Sequence, residues 1–368
     1  MAVLIITERD DIHGDALIWA LGRLGVRCDR WSLSEFPELQ RVSVRYSQAS
    51  QAPTVRVDNL LPSEAYDAIW ARRLANPKTL SPTLAAADVE MALNQARRYT
   101  EGIWPILSSR SVLINPLTTR RAANDKPYQL QAARDSGFTI PETLLSNDPA
   151  EVRHFYQEHR GDIICKFFTP AFWRKPDGGM IGLFTARVDE ALLADEVSLT
   201  SCPAIFQKYV PKKADIRITF FGATYQAVRI WSQQRGAGSI DFRSDMRAEA
   251  PMEEMHLPMR FVDRLRDLSA RLGLLHGSYD FVEQPDGSFT FLEVNEMGQF
   301  LWLEERVPSL PMLSTFAAFS LEPRADFQFS ATRHFSTTFQ EYLESEAYPI
   351  FRQELTAAGG RNSFQYQE

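Results

Sequence analysis

Residues 279–295 decide the fold and read YDFVEQPDGSFTFLEVN, from Tyr279 to Asn295. Two runs rich in β-branched and aromatic residues flank a Gln-Pro-Asp-Gly turn at 284–287, which predicts a β-hairpin. With this turn, we expect Glu283 opposite Ser288 and Asp280 opposite Phe291. Because side chains alternate along a strand, one face then carries oxygen donors and the other an apolar set. The first face consists of Asp280, Glu293 and Asn295, and the second of Tyr279, Phe281, Leu292 and Val294.

The oxygen-bearing face of the hairpin is a candidate metal site. Two carboxylates and an amide carbonyl on adjacent strands suit Mg²⁺, a hard ion that usually keeps some waters and shares its other positions with phosphate groups. A pair of surface acids at a sheet edge is the alternative. The prediction depends on turn length, because a loop one residue longer or shorter would move Asp280 to the other face.

Lysines are informative in this chain because arginine is its usual cation. Only seven of its 40 basic residues are lysines. Lys166 lies in the apolar run 163–168, where an unpaired ammonium group is costly, so we expect an anion beside it. A buried Asp or Glu is the alternative, and a solvated helix end is the common explanation for Lys126. The glycine-rich segment 169–182 with these two lysines favours a polyphosphate site.

Two Asp-x-Arg motifs, at 215–217 and 241–243, each place an acid and an arginine on one side of an extended segment. Each is either an ordinary salt bridge or a clamp for phosphate and carboxylate groups, which arginine binds through paired hydrogen bonds. The stretch Gln207-Lys208-Tyr209-Val210 is a candidate hinge that would offer backbone groups to an adenine ring, with Tyr209 and Val210 as apolar walls.

Composition argues against several classes of function. The chain has 368 residues and a formal net charge of −7, whereas duplex nucleic-acid binding needs a positive surface. Its three cysteines lack metal-ligand spacing, and no stretch has the character of an export signal or membrane span. We therefore expect a reduced, cytoplasmic protein. Covalent hydrolase chemistry has no support, because the histidines and serines form no nucleophile motif.

Changes in hydrophobic pattern along the chain predict an α/β protein with several units. The predicted units are an α/β domain at 1–116, a central lobe at 117–205, a C-terminal lobe with the hairpin at 206–323, and an unassigned tail at 324–368.

In their order along the chain, these motifs resemble those of the ATP-grasp ligases. The stretch 293–302, EVNEMGQFLW, is similar to the Gly-Gln-aromatic-x-Trp ending of the microviridin-type (graspetide) macrocyclases, and 124–148 also resembles that group. The two Asp-x-Arg motifs are similar to motifs of the ligases that add glutamate to a ribosomal protein. The residues that carry the resemblance are Lys126, Lys166, 207–210, 215–217, Asp280 and 291–295.

The resemblance implies a pre-grasp α/β domain followed by a two-lobed α+β ATP-grasp fold that uses ATP and Mg²⁺. It implies that Arg217 contacts phosphate and that Arg243 contacts the substrate carboxylate, with Asp241 as a candidate base. The implied Mg²⁺ ligands are Asp280, Glu293 and Asn295. The implied nucleotide-binding residues are Lys126, Lys166, Gln207, Tyr209, Val210 and Asp215.

Macrocyclases of this group join Asp or Glu side chains of a ribosomal precursor peptide to Ser/Thr hydroxyl groups or Lys amines. The resemblance therefore implies a ligase that activates carboxylates as acyl phosphates and crosslinks the acidic core of a leader-bearing peptide. An intermolecular amino-acid ligase and a nucleotide-binding scaffold without turnover are the open alternatives. We also expect a homodimer, with no nucleic-acid or membrane partner.

Overall fold

The computed structural model describes residues 1–49, 53–169, 171–174, 180–183, 185–234 and 250–357. Asp241, Arg243 and part of the glycine-rich segment lie outside the described residues. Within the described ranges, no helix has the length and apolar character needed to cross a membrane.

The N-terminal region forms an α/β layer. Its elements are β1 (Ala2–Ile6), α1 (Ile12–Arg23), β2 (Arg27–Trp31), β3 (Val42–Arg45), β4 (Thr54–Val57), β5 (Ala68–Ala71), α2 (Val89–Leu107) and β6 (Val112–Ile114). Four parallel strands lie in the order β2-β1-β5-β6, and β3 pairs with β4 in a separate hairpin. All five residues of β1 are buried, as expected for a parallel strand covered on both faces. Ile5 packs in a core with α1, and Ile6 packs in a core with α2.

The central region is a four-stranded sheet with helices. Its elements are α3 (Leu117–Ala123), α4 (Lys126–Asp135), β7 (Thr143–Ser146), α5 (Pro149–Glu158), β8 (Ile163–Lys166), β9 (Ala171–Arg174), β10 (Met180–Leu183), β11 (Ala186–Arg187), α6 (Glu190–Ala194), α7 (Glu196–Ser201) and β12 (Ala204–Lys208). The strands pair antiparallel in the order β11-β8-β12-β7, while β9 and β10 form their own ribbon. The predicted boundary between the lobes, at 205/206, falls inside β12.

The third region is a five-stranded antiparallel sheet backed by one long amphipathic helix. Its elements are β13 (Ala214–Phe221), β14 (Thr224–Ile230), β15 (Met252–Glu254), α8 (Met259–Leu272), β16 (His276–Glu283), β17 (Phe289–Asn295), α9 (Leu301–Arg306) and α10 (Met312–Leu321). The strand order is β15-β14-β13-β16-β17, and β13 is buried along its whole length. The apolar stripe of α8 covers one face of this sheet, including Ile218 and Phe281.

The predicted register of the hairpin between β16 and β17 is wrong near the turn. Glu283 pairs with Phe289 rather than Ser288. The N–H of Gln284 donates to the carbonyl oxygen of Ser288 at 2.8 Å, so the turn between these two residues has three residues instead of the predicted four. A β-bulge beside Asp280 then leaves Leu292 without a register partner and sets Asp280 opposite Glu293. The bulge offsets the one-residue shift of register at the turn, so the two carboxylates still share one face.

The bulge also changes the predicted apolar face. Tyr279, Phe281 and Val294 are buried beneath α8 as expected. Leu292 leaves that set and lines a cleft on the side of the central region.

The described part of the tail belongs to the main core. Its helices are α11 (Phe339–Leu343) and α12 (Ala347–Ala357). Phe339 and Tyr342 are buried in one cluster with Leu17 of α1 and Phe316 of α10. The hydroxyl group of Tyr342 donates to Asp15 at 2.7 Å, so the tail is joined to the first helix by a polar contact as well.

Candidate nucleotide and metal site

Lys126 links α4 to the hairpin. Asp125 caps the helix by accepting from the N–H of Tyr128 at 3.3 Å, which places Lys126 in the first turn. The Nζ atom of Lys126 donates to Oε2 of Glu293 at 2.7 Å. Both side chains are about four-fifths buried, with 19% and 22% exposed. A predicted nucleotide residue and a predicted metal ligand are therefore in direct contact.

A cleft between the two sheets brings both predicted lysines together. Its wall on the central sheet includes Lys166, Ile205 and Gln207, and Lys166 is the register partner of Ile205. The opposite wall is formed by the bulged Leu292 with Lys126 and Leu130. The cleft thus combines an apolar surface, suited to a planar ring, with two cationic side chains suited to phosphate.

Gln207 presents a buried polar atom that lacks a partner. Its side chain is 1% exposed, and Nε2 donates to Oγ1 of Thr143 at 2.9 Å. Oε1 is buried and has no hydrogen-bond partner among the described residues. Leaving such an acceptor unsatisfied costs about 1–3 kcal/mol. A ligand that donates a hydrogen bond, such as the exocyclic amine of adenine, fits this position.

Tyr209 and Val210 do not belong to the described cleft lining. The ring of Tyr209 packs against the guanidinium group of Arg187, at 3.6 Å from the ring centroid. Its backbone N–H donates to the carbonyl oxygen of Asp162 at 2.9 Å. The role of these two residues at an adenine ring stays a prediction.

Arg217 and Asp280 face each other across β13 and β16. Nη1 of Arg217 donates to both carboxylate oxygens of Asp280, at 2.8 and 2.6 Å. Nη2 donates to the carbonyl oxygen of Gln299 at 3.3 Å. The Nε atom of Arg217 is buried and has no hydrogen-bond partner in the described ranges. A buried cationic donor beside a carboxylate face is suited to an anionic ligand.

Asp215 lies apart from this pair. Its carboxylate accepts from Nζ of Lys212, at 2.9 Å for the closer oxygen, and from the hydroxyl group of Ser232. Both Asp215 and Lys212 are buried. These contacts join the start of β13 to the end of β14, so the structure gives Asp215 an internal ion pair.

Asp280, Glu293 and Asn295 form the carboxylate face, the name used below for these three residues. Asp280 and Glu293 are register partners, and Asn295 lies two residues further along β17 on the same side. Two carboxylates and an amide oxygen fit the preferences of Mg²⁺. In this structure Lys126 forms an ion pair with Glu293, and Arg217 forms an ion pair with Asp280.

A buried polar network absent from the sequence predictions holds the segment after β17. Arg72 is 1% exposed and donates from Nη1 to the carbonyl oxygens of Met297 and Gly298, at 2.9 and 2.6 Å. Its Nε donates to Asp11 at 2.6 Å. The sequence could have indicated Arg72, because this cation directly follows the apolar strand β5. An apolar context of this kind is what identified Lys166.

The charge on Asp11 is maintained by its neighbours. Burial opposes ionisation of this carboxyl group, but the guanidinium groups of Arg72 and Arg73 outweigh that effect and hold its pKa well below the usual range. Asp11 also accepts from the hydroxyl group of Thr7 at 2.7 Å. The Asp11–Arg72 pair is thus a buried, hydrogen-bonded ion pair within the N-terminal layer, and Nη1 of Arg72 connects it to the segment 297–298.

Glu296 is held from the other side of the same segment. Its Oε1 accepts from Nε and Nη2 of Arg120, at 3.3 and 3.2 Å, and from Nδ2 of Asn124 at 2.8 Å. Asn115 donates to the carbonyl oxygen of Glu296 at 2.7 Å. Helix α3 therefore fixes the chain directly after Asn295.

Two neutral histidines complete the network. Nε2 of His13 accepts from the N–H groups of Phe300 and Leu301, at 3.0 and 3.2 Å, where α9 begins. Nδ1 of His276 lies 2.8 Å from the carbonyl oxygen of Phe220. Burial lowers the pKa of His276 to about 4 and that of His13 well below its usual value, so both rings stay uncharged at neutral pH.

Comparison with known proteins agrees with this arrangement. No family model and no curated sequence matches the chain. The macrocyclase MdnC from Microcystis aeruginosa MRC, solved with precursor peptide MdnA, is 28% identical with a TM-score of 0.75, and the match covers 88% of this chain and 100% of that one. A RiPP-associated ATP-grasp ligase from Chryseobacterium gregarium, solved with ADP and a leader and core peptide, is 25% identical with a TM-score of 0.80, covering 89% and 99%. Macrocyclase MdnB from Microcystis aeruginosa MRC is 25% identical with a TM-score of 0.71, covering 87% and 99%.

The fold and these similarities identify the chain as an ATP-grasp ligase. Within that superfamily it lies near the graspetide-type macrocyclases. The predicted fold class, an N-terminal α/β domain followed by the two lobes of an ATP-grasp fold, is confirmed.

Proposed function

We propose that this ligase uses ATP to activate Asp or Glu side chains of a ribosomal precursor peptide and joins them to hydroxyl or amine groups of the same peptide. The observation that carries the proposal is the cleft in which Lys126 and Lys166 meet the unpartnered Oε1 of Gln207 beside the carboxylate face. The similarity to a macrocyclase solved with a precursor peptide, and to a ligase solved with ADP and a leader and core peptide, supports the choice of substrate.

The nucleotide would lie with its base against Leu292 and its exocyclic amine at Oε1 of Gln207. Lys126, Lys166 and Arg217 would contact the phosphates. Mg²⁺ held by the carboxylate face would offset phosphate charge. Before the ligand binds, ion pairs with Arg217 and Lys126 hold the carboxylates of Asp280 and Glu293 in position. Binding of Mg²⁺ to these carboxylates would free the two cationic side chains to contact phosphate oxygens.

The reaction needs no covalent bond to the protein. A peptide carboxylate oxygen attacks the γ-phosphorus atom of ATP and displaces ADP, which gives an acyl phosphate. A hydroxyl oxygen or amine nitrogen of the peptide then attacks the carbonyl carbon, loses its proton and displaces phosphate. We propose Arg243 as the contact to the peptide carboxylate and Asp241 as the base. Both lie outside the described residues.

Mass spectrometry with a candidate precursor peptide tests the proposal. The protein is incubated with ATP, Mg²⁺ and a peptide that carries a leader and an acidic core with Ser, Thr or Lys. We expect a loss of the mass of one water per bond, with one ADP released for each. A gain in mass would indicate an intermolecular amino-acid ligase instead, and an absence of ADP release with every peptide would favour a nucleotide-binding scaffold without turnover.

The division into domains at 1–116, 117–205, 206–323 and 324–368 remains a proposal, as do a homodimer and a cytoplasmic location. Light scattering coupled to size-exclusion chromatography measures the oligomeric state, and a monomer mass would contradict the homodimer.

A further inference from the structure

A second group of metal-ligating side chains lies in the central region, among residues that the proposed ligase chemistry does not use. The group consists of Glu142, just before β7, together with Glu158 and His159 at the end of α5. One ligand atom from each residue lies within 4.8 Å of the others. Both carboxylates belong to exposed residues, whereas the histidine side chain is buried.

The His159 side chain points to a ligand. It is only 5% exposed, and its ring packs edge-on against Phe155 with 4.4 Å between centroids. Its Nε2 atom lies 3.8 Å from Oε2 of Glu142, too far for a hydrogen bond. This nitrogen is buried and has no hydrogen-bond partner in the part of the chain that the structure describes. Nε2 of His159 is thus a buried nitrogen that faces the Glu142 carboxylate without a hydrogen bond to any described residue.

The spacing of these atoms suits a bridging cation. Two atoms that each lie about 2.1 Å from a tetrahedral zinc ion are about 3.4 Å apart. The Nε2–Oε2 separation of 3.8 Å between His159 and Glu142 is close to that value. A small rotation of the exposed Glu158 side chain brings a second carboxylate within reach.

We propose that Glu142, Glu158 and His159 bind a divalent transition-metal ion, with Zn²⁺ as the expected occupant and water in the remaining position. Zn²⁺ binds both imidazole nitrogen and carboxylate oxygen, whereas Mg²⁺ prefers oxygen ligands alone, so the histidine favours zinc. The site is distinct from the carboxylate face, which has no histidine ligand.

The position of the site links it to the nucleotide cleft. Glu142 and Lys208 each adjoin one member of the Thr143–Gln207 register pair, and the N–H of Lys208 donates to the carbonyl oxygen of Glu142 at 2.9 Å. An ion here would join α5 to the strand edge that carries Gln207.

Lys208 competes with a metal ion for Glu142. Its Nζ donates to Oε1 of Glu142 at 3.2 Å. A cation bound to the same carboxylate is repelled by the ammonium group. Removing that charge with Lys208→Gln should therefore tighten zinc binding severalfold, whereas adventitious binding elsewhere on the surface would not respond.

Calorimetric titration of untagged protein with Zn²⁺, in a large excess of Mg²⁺, tests the site without any need for turnover. We expect one tight site in the wild-type chain, and at least ~10-fold weaker binding in Glu142→Gln, Glu158→Gln and His159→Asn. His154→Asn is the matched control, because His154 is exposed on the same helix, and its binding should equal that of the wild type. Zinc should also raise the melting temperature of the wild type and the control but not of Glu158→Gln.

The proposal is overturned if the wild type shows no one-site zinc binding, or if the three ligand variants bind zinc as tightly as the control. Glu158→Gln changes an exposed side chain, so it keeps the test decisive should His159→Asn fail to fold. Because the readout is metal binding, a failure of this site is distinguishable from a failure of the proposed ligase reaction.

Discussion

Arg72 donates a 2.6 Å hydrogen bond from Nη1 to the carbonyl oxygen of Gly298, which ties the N-terminal layer to the segment that follows the carboxylate face. Gly298 has a φ of +57°, and a Cβ atom there would lie 2.8 Å from Nε2 of His276. The backbone conformation that points the carbonyl oxygen of residue 298 towards Arg72 therefore requires glycine at this position. The N-terminal layer is in this way part of the scaffold for the carboxylate face.

Arg72→Met should destabilise the whole protein. The substitution removes the nearest cationic partner of buried Asp11, and breaking a buried ion pair by removing one partner costs about 3–5 kcal/mol. The free energy of unfolding in urea measures the effect. Arg98→Met is the control, because the side chain of Arg98 is 81% exposed and its pair with Glu101 should contribute less than about 1 kcal/mol. A loss below about 1 kcal/mol for Arg72→Met would show that the network does not stabilise the domain contact.

His276 should make stability fall as the pH is lowered. Its pKa is about 4 in the folded chain against an ordinary value of 6.5, so the unfolded chain binds a proton that the folded chain excludes between these values. The free energy of unfolding should therefore fall by about 3 kcal/mol as the pH is lowered from 6.5 towards 4.

The measurement compares the unfolding free energy of the wild type and His276→Gln across that pH window. The difference between the two proteins isolates His276 from Glu304, whose pKa burial raises to about 7 and which acts in the opposite direction. His256→Gln, at an exposed histidine, should leave the wild-type pH profile unchanged. Parallel profiles for wild type and His276→Gln would contradict the prediction.

Gln207→Met should reduce the preference for ATP over GTP. Oε1 of Gln207 accepts a hydrogen bond, which the amine of adenine can donate and the carbonyl group of guanine cannot. Loss of this contact should weaken ATP binding about tenfold with little effect on GTP. Dissociation constants from calorimetry measure both, and Gln131→Met, at an exposed glutamine of α4, is the control. An unchanged ratio of the two constants would place the base elsewhere.

Asp280→Asn and Glu293→Gln should raise the Mg²⁺ concentration needed for half-maximal ADP release by at least about tenfold. Each removes one anionic ligand of a hard ion. Asp286→Asn is the matched control, because Asp286 lies in the turn of the same hairpin, where it accepts from Ser288 at 2.9 Å. A normal Mg²⁺ requirement in Asp280→Asn and Glu293→Gln would mean that the metal binds elsewhere.

The sequence predicted the chemistry of the cleft better than its geometry. Lys166 was found because its ammonium group lies in an apolar strand, whereas Lys126 and Gln207 were assigned through the resemblance to the ATP-grasp ligases, and the structure brings all three to one cleft. The hairpin register was wrong by one residue at the turn, and no local pattern predicted the bulge at Leu292, which accompanies burial of Phe281 and Phe291 beneath α8. Tyr209, assigned to an adenine ring as an apolar wall, packs on Arg187 of β11, and its role at the nucleotide stays a prediction.

What the sequence alone determined is the fold class and the side-chain chemistry of the hairpin, because residue types and their alternation along a strand are local properties. That Asp280 and Glu293 share one face depended on the bulge, which offset the error in register. Only the tertiary structure decided which charges meet. Lys126 lies 167 residues from Glu293, and Arg72 lies 226 residues from Gly298, so no local pattern relates them. The tail gave little local signal for the same reason, since Phe339 and Tyr342 are ordered by burial against α1 at the far end of the chain.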